Sequence, residues 1–578
     1  MTESRKTDYS LIFDLFKIAD RRRRIQFIIL AFLLILASFA EVFTLGAVVP
    51  FIAAISNPES VLDVEYLEPF FSFFRIETPQ DVVIPMTILF CSTALMAALL
   101  QLIRLWFSTR LSFAFGADIS LKVYRQTLYQ PYEFHSLLNS SEIINGISYK
   151  STTVIYGIVY PTFILISSCV MVASIFSFLI YLDPFIALTT FTIFGAIYAL
   201  IVVMSKRILN KNSEKIALES TQVIKAVQEG LGGIREVLLD SNQEIFCKVY
   251  RSSDRPFRKA QGDNVVIGQS PRFLMEGLGI TLIAAVASSA AINSESFSNV
   301  IPTLAGLALG AQRVLPALQQ GYNAWSNING SMESLKDSLD LINKPTPISY
   351  EANVNQPMDF QDRIELSNIH FSYSNNENKI FNGLNLSIKK GETVGIKGVT
   401  GSGKSTLIDI LVGLLEPQDG HLSIDGVPIN QLNLQAWQKN ISYVPQSIFI
   451  TDSTLKENIA FGVSEDFIDM DKVKIAAREA QLIDFIEDLP NKYDTRLGER
   501  GAFLSGGQLQ RIGIARAIYK ESSVVIFDEA TSALDTDTES KVMRSINNLG
   551  SNLTILIIAH RLSTLEGCDK IIDLDEIK

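Results

Sequence analysis

Cysteine is scarce and scattered. The four residues, Cys91, Cys169, Cys247 and Cys568, form no CxxC pair, which points away from a disulfide framework and from a zinc site alike. Charge is scarce too. Of the 578 residues 19% are charged and 48% hydrophobic, and the mean hydropathy of +0.24 suits a membrane protein better than a large soluble enzyme. The net charge is −11, and the one basic run is Arg21 to Arg24. Nucleic acid is therefore not expected as a partner, because phosphate backbones are bound by clustered cations. An apolar segment starts directly after that run, so the arginines read as its inside flank. A cleavable signal peptide is also not expected. The first apolar stretch is too long for a signal core and shows no small-residue cleavage pattern, so it is expected to remain as an anchor.

A chain of 578 residues exceeds one hydrophobic core. Its first part holds six segments that meet or approach the apolar length needed to cross a bilayer, about 20 residues. They are Ile25 to Ser56 with Glu41 as the one charge, Val82 to Ile103, Ser151 to Leu182, Pro184 to Ser205, Phe273 to Ser294 with Glu276, and Ser296 to Tyr322 with Arg313. The third and fourth meet at Leu182-Asp183-Pro184, a helix-breaking turn. The loops differ in sign: Ala53 to Ile84 carries six acids against Arg75, whereas Lys206 to Arg272 carries twelve Lys and Arg. The first is therefore expected outside and the second inside, with both termini inside.

In the second part charges are interspersed and the motifs become specific. A strand-like run, Thr393 to Ile396, leads into Gly398-Val-Thr400-Gly401-Ser402-Gly403-Lys404-Ser405-Thr406 and then a helical pattern from Leu407. Such a loop turns its backbone N–H groups toward phosphates at a helix N-terminus, brings Lys404 to the terminal phosphates and lets Ser405 ligate Mg²⁺. Val524 to Phe527 reads as a buried parallel strand that ends in two carboxylates, Asp528 and Glu529. Leu504-Ser505-Gly506-Gly507-Gln508 opens a helix over Gln508 to Ile518, whose N-terminal dipole and free N–H groups suit a γ-phosphate.

These motifs, in this order, resemble those of the ATP-binding cassette (ABC) superfamily, and the likeness extends from about residue 20 to the end. It implies a six-span α-helical membrane domain followed by an α/β P-loop ATPase domain. The expected limits are a cytoplasmic segment 1–24, a membrane domain 25–340, a linker 341–360 and the ATPase domain 361–578. It implies ATP and Mg²⁺ as ligands. Asp528 would hold the metal through water, Glu529 would polarise the attacking water, and Gln446, in Tyr443-Val-Pro-Gln446, would touch the metal and face the membrane domain. Tyr373 would stack on adenine and His560 would contact the γ-phosphate. Ser505 to Gln508 would close the ATP site of a second copy, and Ser532-Ala-Leu-Asp535 would line the same interface; Gly498-Glu-Arg-Gly501 matches an exporter-specific stretch. With one phosphate loop and one signature, the chain is expected to work as a dimer. Intact Glu529 and His560 favour a homodimer, although the competent half of a heterodimer would look the same. Tyr129 to His135 and Gln228 to Leu239 are similar to the two coupling-helix regions of exporters, with ordinary amphipathic helix ends as the alternative.

Within exporters, Glu41-Val-Phe-Thr-Leu-Gly-Ala-Val-Val-Pro50-Phe and Gln312-Arg313-Val-Leu-Pro316-Ala-Leu-Gln-Gln look like the subgroup that includes PglK-type flippases of lipid-linked oligosaccharides and related polysaccharide exporters. That likeness implies a lipid-linked or amphipathic cargo flipped across the cytoplasmic membrane. A multidrug, lipid or peptide exporter is the alternative, and an ATP-gated channel or regulatory subunit a further one. A charge within a span is costly unless it is partnered or faces water, so Arg313 is a candidate contact for an anionic pyrophosphate or carboxylate and Glu41 a candidate substrate residue or partner of Arg313, with helix packing as the other reading of both. The aromatic segment Tyr66 to Phe74 suits an amphipathic surface helix that handles a lipid tail.

Overall fold

Apolar runs with few charges become long helices in the computed structural model, which describes residues 8–56, 58–59, 79–182, 184–293, 301–346, 356–373, 379–530, 536–548, 553–559, 565 and 567–576. The chain divides into two compact units. One comprises residues 1–128 with 138–345, the other residues 129–137 with 346–578.

In the first unit a short helix, Asp8–Lys17, precedes the first long one, Arg21–Ser56. Arg23 is anchored to Asp118 at 2.6 Å, and Arg24 donates to the carbonyls of Ala19 and Lys17. Phe16, Phe27, Phe115 and Phe163 cluster, mostly edge to face, at centroid separations of 5.4 to 5.8 Å, locking the short helix onto the bundle. Val83–Leu128, Pro184–Gly232 and Gln243–Asn293 have 46, 49 and 51 residues. At 1.5 Å per residue each is more than twice the length a bilayer core requires, so each continues far beyond it as a helical extension. Pro184 takes the first helical position, where its missing N–H costs nothing.

Among the described residues four helices are long and apolar enough to cross a membrane: Arg21–Ile55, Val83–Leu128, Ser140–Ile180 and Phe191–Gly232. The last two expected spans fall on Gln243–Asn293 and Ile301–Gly330. Arg313 stands in the latter, but its side chain lies outside the described residues, as do the turn 294–300 and the aromatic segment Tyr66 to Phe74. Glu41 is buried at 3% exposure and accepts a hydrogen bond from Gln101 Nε2, which ties the first span to the second.

The third spanning segment is interrupted by two π-helical turns, Gly146–Lys150 and Ile155–Val159. Close approaches frame them. A Cβ on Gly157 would collide with the Ser331 hydroxyl, and one on Gly116 with the Ile155 side chain.

The second unit contains two sheets. The strands are β1 (Arg363–Phe371), β2 (Phe381–Lys389), β3 (Thr393–Lys397), β4 (Asp419–Ile424), β5 (Val427–Pro428), β6 (Ile441–Val444), β7 (Val524–Asp528), β8 (Thr554–Ile558) and β9 (Lys570–Asp573). Four of them form an antiparallel sheet in the order β2-β1-β4-β5, and five a sheet in the order β6-β7-β8-β3-β9 whose pairs are all parallel. The inner strands β7 and β8 are apolar and buried almost throughout, as a sheet covered on both faces requires. Two separate apolar clusters result. One gathers β1 to β4 and the helix Lys404–Leu411; the other gathers the helical part, including Ile512, Ile514, Ala515 and Ala517 of the helix Gly506–Tyr519.

Candidate functional site

Ligands of parallel α/β sheets bind beyond the carboxyl ends of the strands, and Lys404, Asp528, Glu529 and Gln446 gather there. β3 delivers the loop 398–403. Gly401 and Gly403 have φ of +84° and +94°, a region that favours glycine, and a Cβ on Gly403 would press within 2.8 Å of Ile380. Lys404, 9% exposed, rests its ammonium on the carbonyls of Gly398 at 2.7 Å and Val399 at 3.2 Å. The loop is braced from outside, since the Val399 N–H donates to Asp575 at 2.9 Å.

β7 delivers the carboxylates. Asp528 Oδ2 accepts a hydrogen bond of 2.9 Å from the Tyr443 hydroxyl on the neighbouring strand β6. Burial raises its pKa and the nearby Glu529 adds to that, whereas the Tyr443 hydrogen bond and the Lys404 ammonium oppose it. Lys404 and Asp528 therefore belong to one electrostatic site, although β8 lies between their strands. Glu529 follows at φ +50°, uncommon for a residue with a side chain. It is held from two sides: its N–H donates to the Ile558 carbonyl at 3.0 Å, and its Oε2 accepts from Gln446 Nε2 at 2.7 Å. The structure thus joins Gln446 to Glu529, the two side chains read from separate motifs.

Other expected residues are placed as follows. The Tyr373 hydroxyl meets Thr406 Oγ1 at 3.3 Å and its ring packs edge-on against Phe371. Ser505 caps the helix Gly506–Tyr519, which starts two residues earlier than expected. Its hydroxyl accepts from the Gln508 N–H, while Gln508 Oε1 accepts from the Ser505 N–H at 2.8 Å, a reciprocal capping box. This signature segment belongs to the helical cluster and not to the cluster beneath the phosphate loop. His560 and Ser532 to Asp535 lie outside the described residues.

Two residues at the site were not anticipated. Tyr443 was read only as a neighbour of Gln446, yet β6 and β7 pair with Tyr443 opposite Ile526, and that register is what brings its hydroxyl to Asp528. Asp409, one turn into the helix after the loop, has its carboxyl pushed up to about 6 by burial and then by the charge of Asp528. Tyr132, in the short helix Tyr132–Leu137, has its pKa raised by burial, with Asp409 and Tyr373 as the neighbouring charges. Those neighbours place Tyr132 near Asp409 and Tyr373.

The donor set fits a small hard cation and a polyphosphate. The Ser405 hydroxyl, the Gln446 amide and the Asp528 carboxylate are oxygen donors of the kind Mg²⁺ takes. Ser402 Oγ is buried in the phosphate loop with no protein partner, a polar atom in need of one.

Family comparison agrees with this geometry. Residues 25–302 match the model of the ABC transporter transmembrane region, and residues 381–532 match that of the ABC transporter. The ATP-dependent lipid A-core flippase of Saccharophagus degradans is 31% identical over 472 residues, covering 79% of this chain and 77% of that one. ABC transporter B family member 29, chloroplastic, of Arabidopsis thaliana is 31% identical over 460 residues, covering 77% and 71%. The solved structure of a bacterial Atm1-family ABC exporter with ATP bound superposes with a TM-score of 0.78 at 22% identity, over 96% of this chain and 94% of that one.

Proposed function

The chain belongs to the ABC transporter family, as an exporter-type half-transporter that couples ATP hydrolysis to transport, and from that premise we propose that it flips an amphipathic, lipid-linked glycan across the cytoplasmic membrane. The observation that carries this reading is the likeness to relatives named as lipid A-core flippases over 79% of the chain. The first and sixth spans, similar to those of PglK-type flippases, support it.

The residues then divide the work as follows. Two copies close head to tail, so that the Gly398 to Thr406 loop of one faces Ser505 to Gln508 of the other. The free N–H groups behind the Ser505 cap attract the terminal phosphate. Lys404 turns from its loop carbonyls to that phosphate. Ser405, Gln446 and Asp528 would hold Mg²⁺, which when bound neutralises phosphate charge. Glu529, oriented by Gln446, accepts the proton of the attacking water, as phosphoryl transfer to water requires of a positioned base. His560 contacts the γ-phosphate. Gln446 is thus the hinge of the scheme, because it touches the base directly. Arg313 is assigned to the anionic headgroup, whereas the hydrogen bond from Gln101 supports a helix-packing role for Glu41.

The test is reconstitution of the purified chain in liposomes. Lipid-linked oligosaccharides should stimulate ATP hydrolysis and change leaflet, both in proportion. Stimulation by hydrophobic drugs and none by polyprenyl-linked glycans would replace this cargo with the multidrug alternative.

A further inference from the structure

Away from the nucleotide site, the membrane unit carries a half-open apolar cavity of about 490 Å³, within the size range of small-ligand sites. Its walls include Phe27, Leu30 and Leu34 of the first span, Phe163 of the third and Trp325 of the helix Ile301–Gly330, and its one charged lining residue is Lys206.

The heights of these residues agree with one another. On the helix Arg21–Ser56 the basic run ends at Arg24 and the next charge is Glu41; Leu30 and Leu34 follow Arg24 by about 9 to 15 Å at 1.5 Å per residue, inside the hydrocarbon. On the helix Pro184–Gly232, Lys206 is the first charge after an uncharged run from Pro184 to Ser205, so it stands at the boundary. The cavity therefore has its apolar walls at the depth of acyl chains and its cation at the depth of headgroups. Trp325 follows the expected end of the last span, Tyr322, by three residues, which puts it at the boundary, where tryptophan is favoured. Nearby cations are already engaged, Lys17 by Asp14, Arg23 by Asp118 and Arg24 by backbone carbonyls. Lys206 has no acidic partner within 4 Å among the described residues.

We propose that this cavity binds one anionic phospholipid of the leaflet on the ATPase side, with a chain against Phe27, Leu30, Leu34 and Phe163 and the phosphate on Lys206. The lipid is resident and is not the cargo, so the site stands apart from the transport reading. Charge complementarity selects it: an apolar cavity whose one charged lining residue is a cation matches an amphiphile with a single anionic head.

The three tryptophans make the test specific. Trp437 is fully buried in the ATPase unit, so in a Trp106→Phe chain quenching by brominated lipids reads Trp325. In phosphatidylcholine nanodiscs, brominated phosphatidylglycerol should half-saturate the quenching at about a fivefold lower mole fraction than brominated phosphatidylcholine, the preference one lysine confers near a headgroup. Lys206→Gln should abolish the preference, Lys206→Arg should retain it, and Ala31→Phe, which fills the cavity, should weaken quenching by both lipids. Equal quenching by the two lipids, no quenching at all, or a preference that survives Lys206→Gln would overturn the proposal. Displacement of brominated phosphatidylglycerol by polyprenyl phosphate at equal mole fraction would also overturn it and assign the cavity to cargo.

Discussion

Glu529 is held in a left-handed backbone conformation by the ladder bond to Ile558 and by Gln446, and strain of this kind persists only where surroundings over-determine it. Glu529→Gln keeps the shape and the contact but removes the base. ATP binding should persist, the closed dimer should accumulate, and steady-state hydrolysis should fall by at least about 100-fold; hydrolysis near the parental rate would refute the role. Asp409 offers a second test. Its folded value of about 6 lies above the ordinary 3.8, so the folded state binds the extra proton between these limits. The associated stability is complete below 3.8 and is lost as pH rises through 6. Asp409→Asn should therefore raise the thermal midpoint at pH 8 in magnesium-free buffer and leave it nearly unchanged at pH 4, as differential scanning fluorimetry can read.

At the scale of elements, the long helices and the phosphate-loop strand were legible because their signals are local: an uncharged run longer than a bilayer, and glycines between an apolar run and a helix. The Tyr443–Asp528 bond was not legible, since it depends on which strand neighbours which and in what register. Nor were the π-helical turns, whose widened geometry goes with close approaches between helices distant in sequence. Gly157→Ala should place a methyl group against Ser331 and destabilise the membrane unit by about 1–3 kcal/mol, a usual cost of overpacking. Ser331→Gly added to it should restore most of the loss; a double mutant no more stable than Gly157→Ala would locate the strain elsewhere.

For the whole molecule, the decisive matter is that the phosphate loop and the signature helix rest on different apolar clusters. If a site is shared between copies, Lys404→Ala and Ser505→Glu are each inactive as homodimers, yet a mixed dimer regains one intact site. Coexpressed, differently tagged chains purified through both tags should recover up to about half of the parental ATPase rate, on the rule that one of two phosphoryl-transfer sites is complete. Failure of the mixed dimer to exceed either parent would argue for sites formed within one chain.

The segment 129–137 lies between two membrane helices in the chain but belongs to the ATPase unit, and this has a consequence in time. During synthesis it emerges with the membrane helices and then waits while the ribosome adds residues 138–345, about ten to forty seconds at ordinary elongation rates, before its host begins to appear. The ATPase unit thus cannot be complete until both units have been made, so assembly of the two is interlocked and neither is a detachable cassette. A fragment of residues 346–578 should unfold at a lower temperature than the same unit in the full chain, and a peptide of residues 129–137 should raise its midpoint.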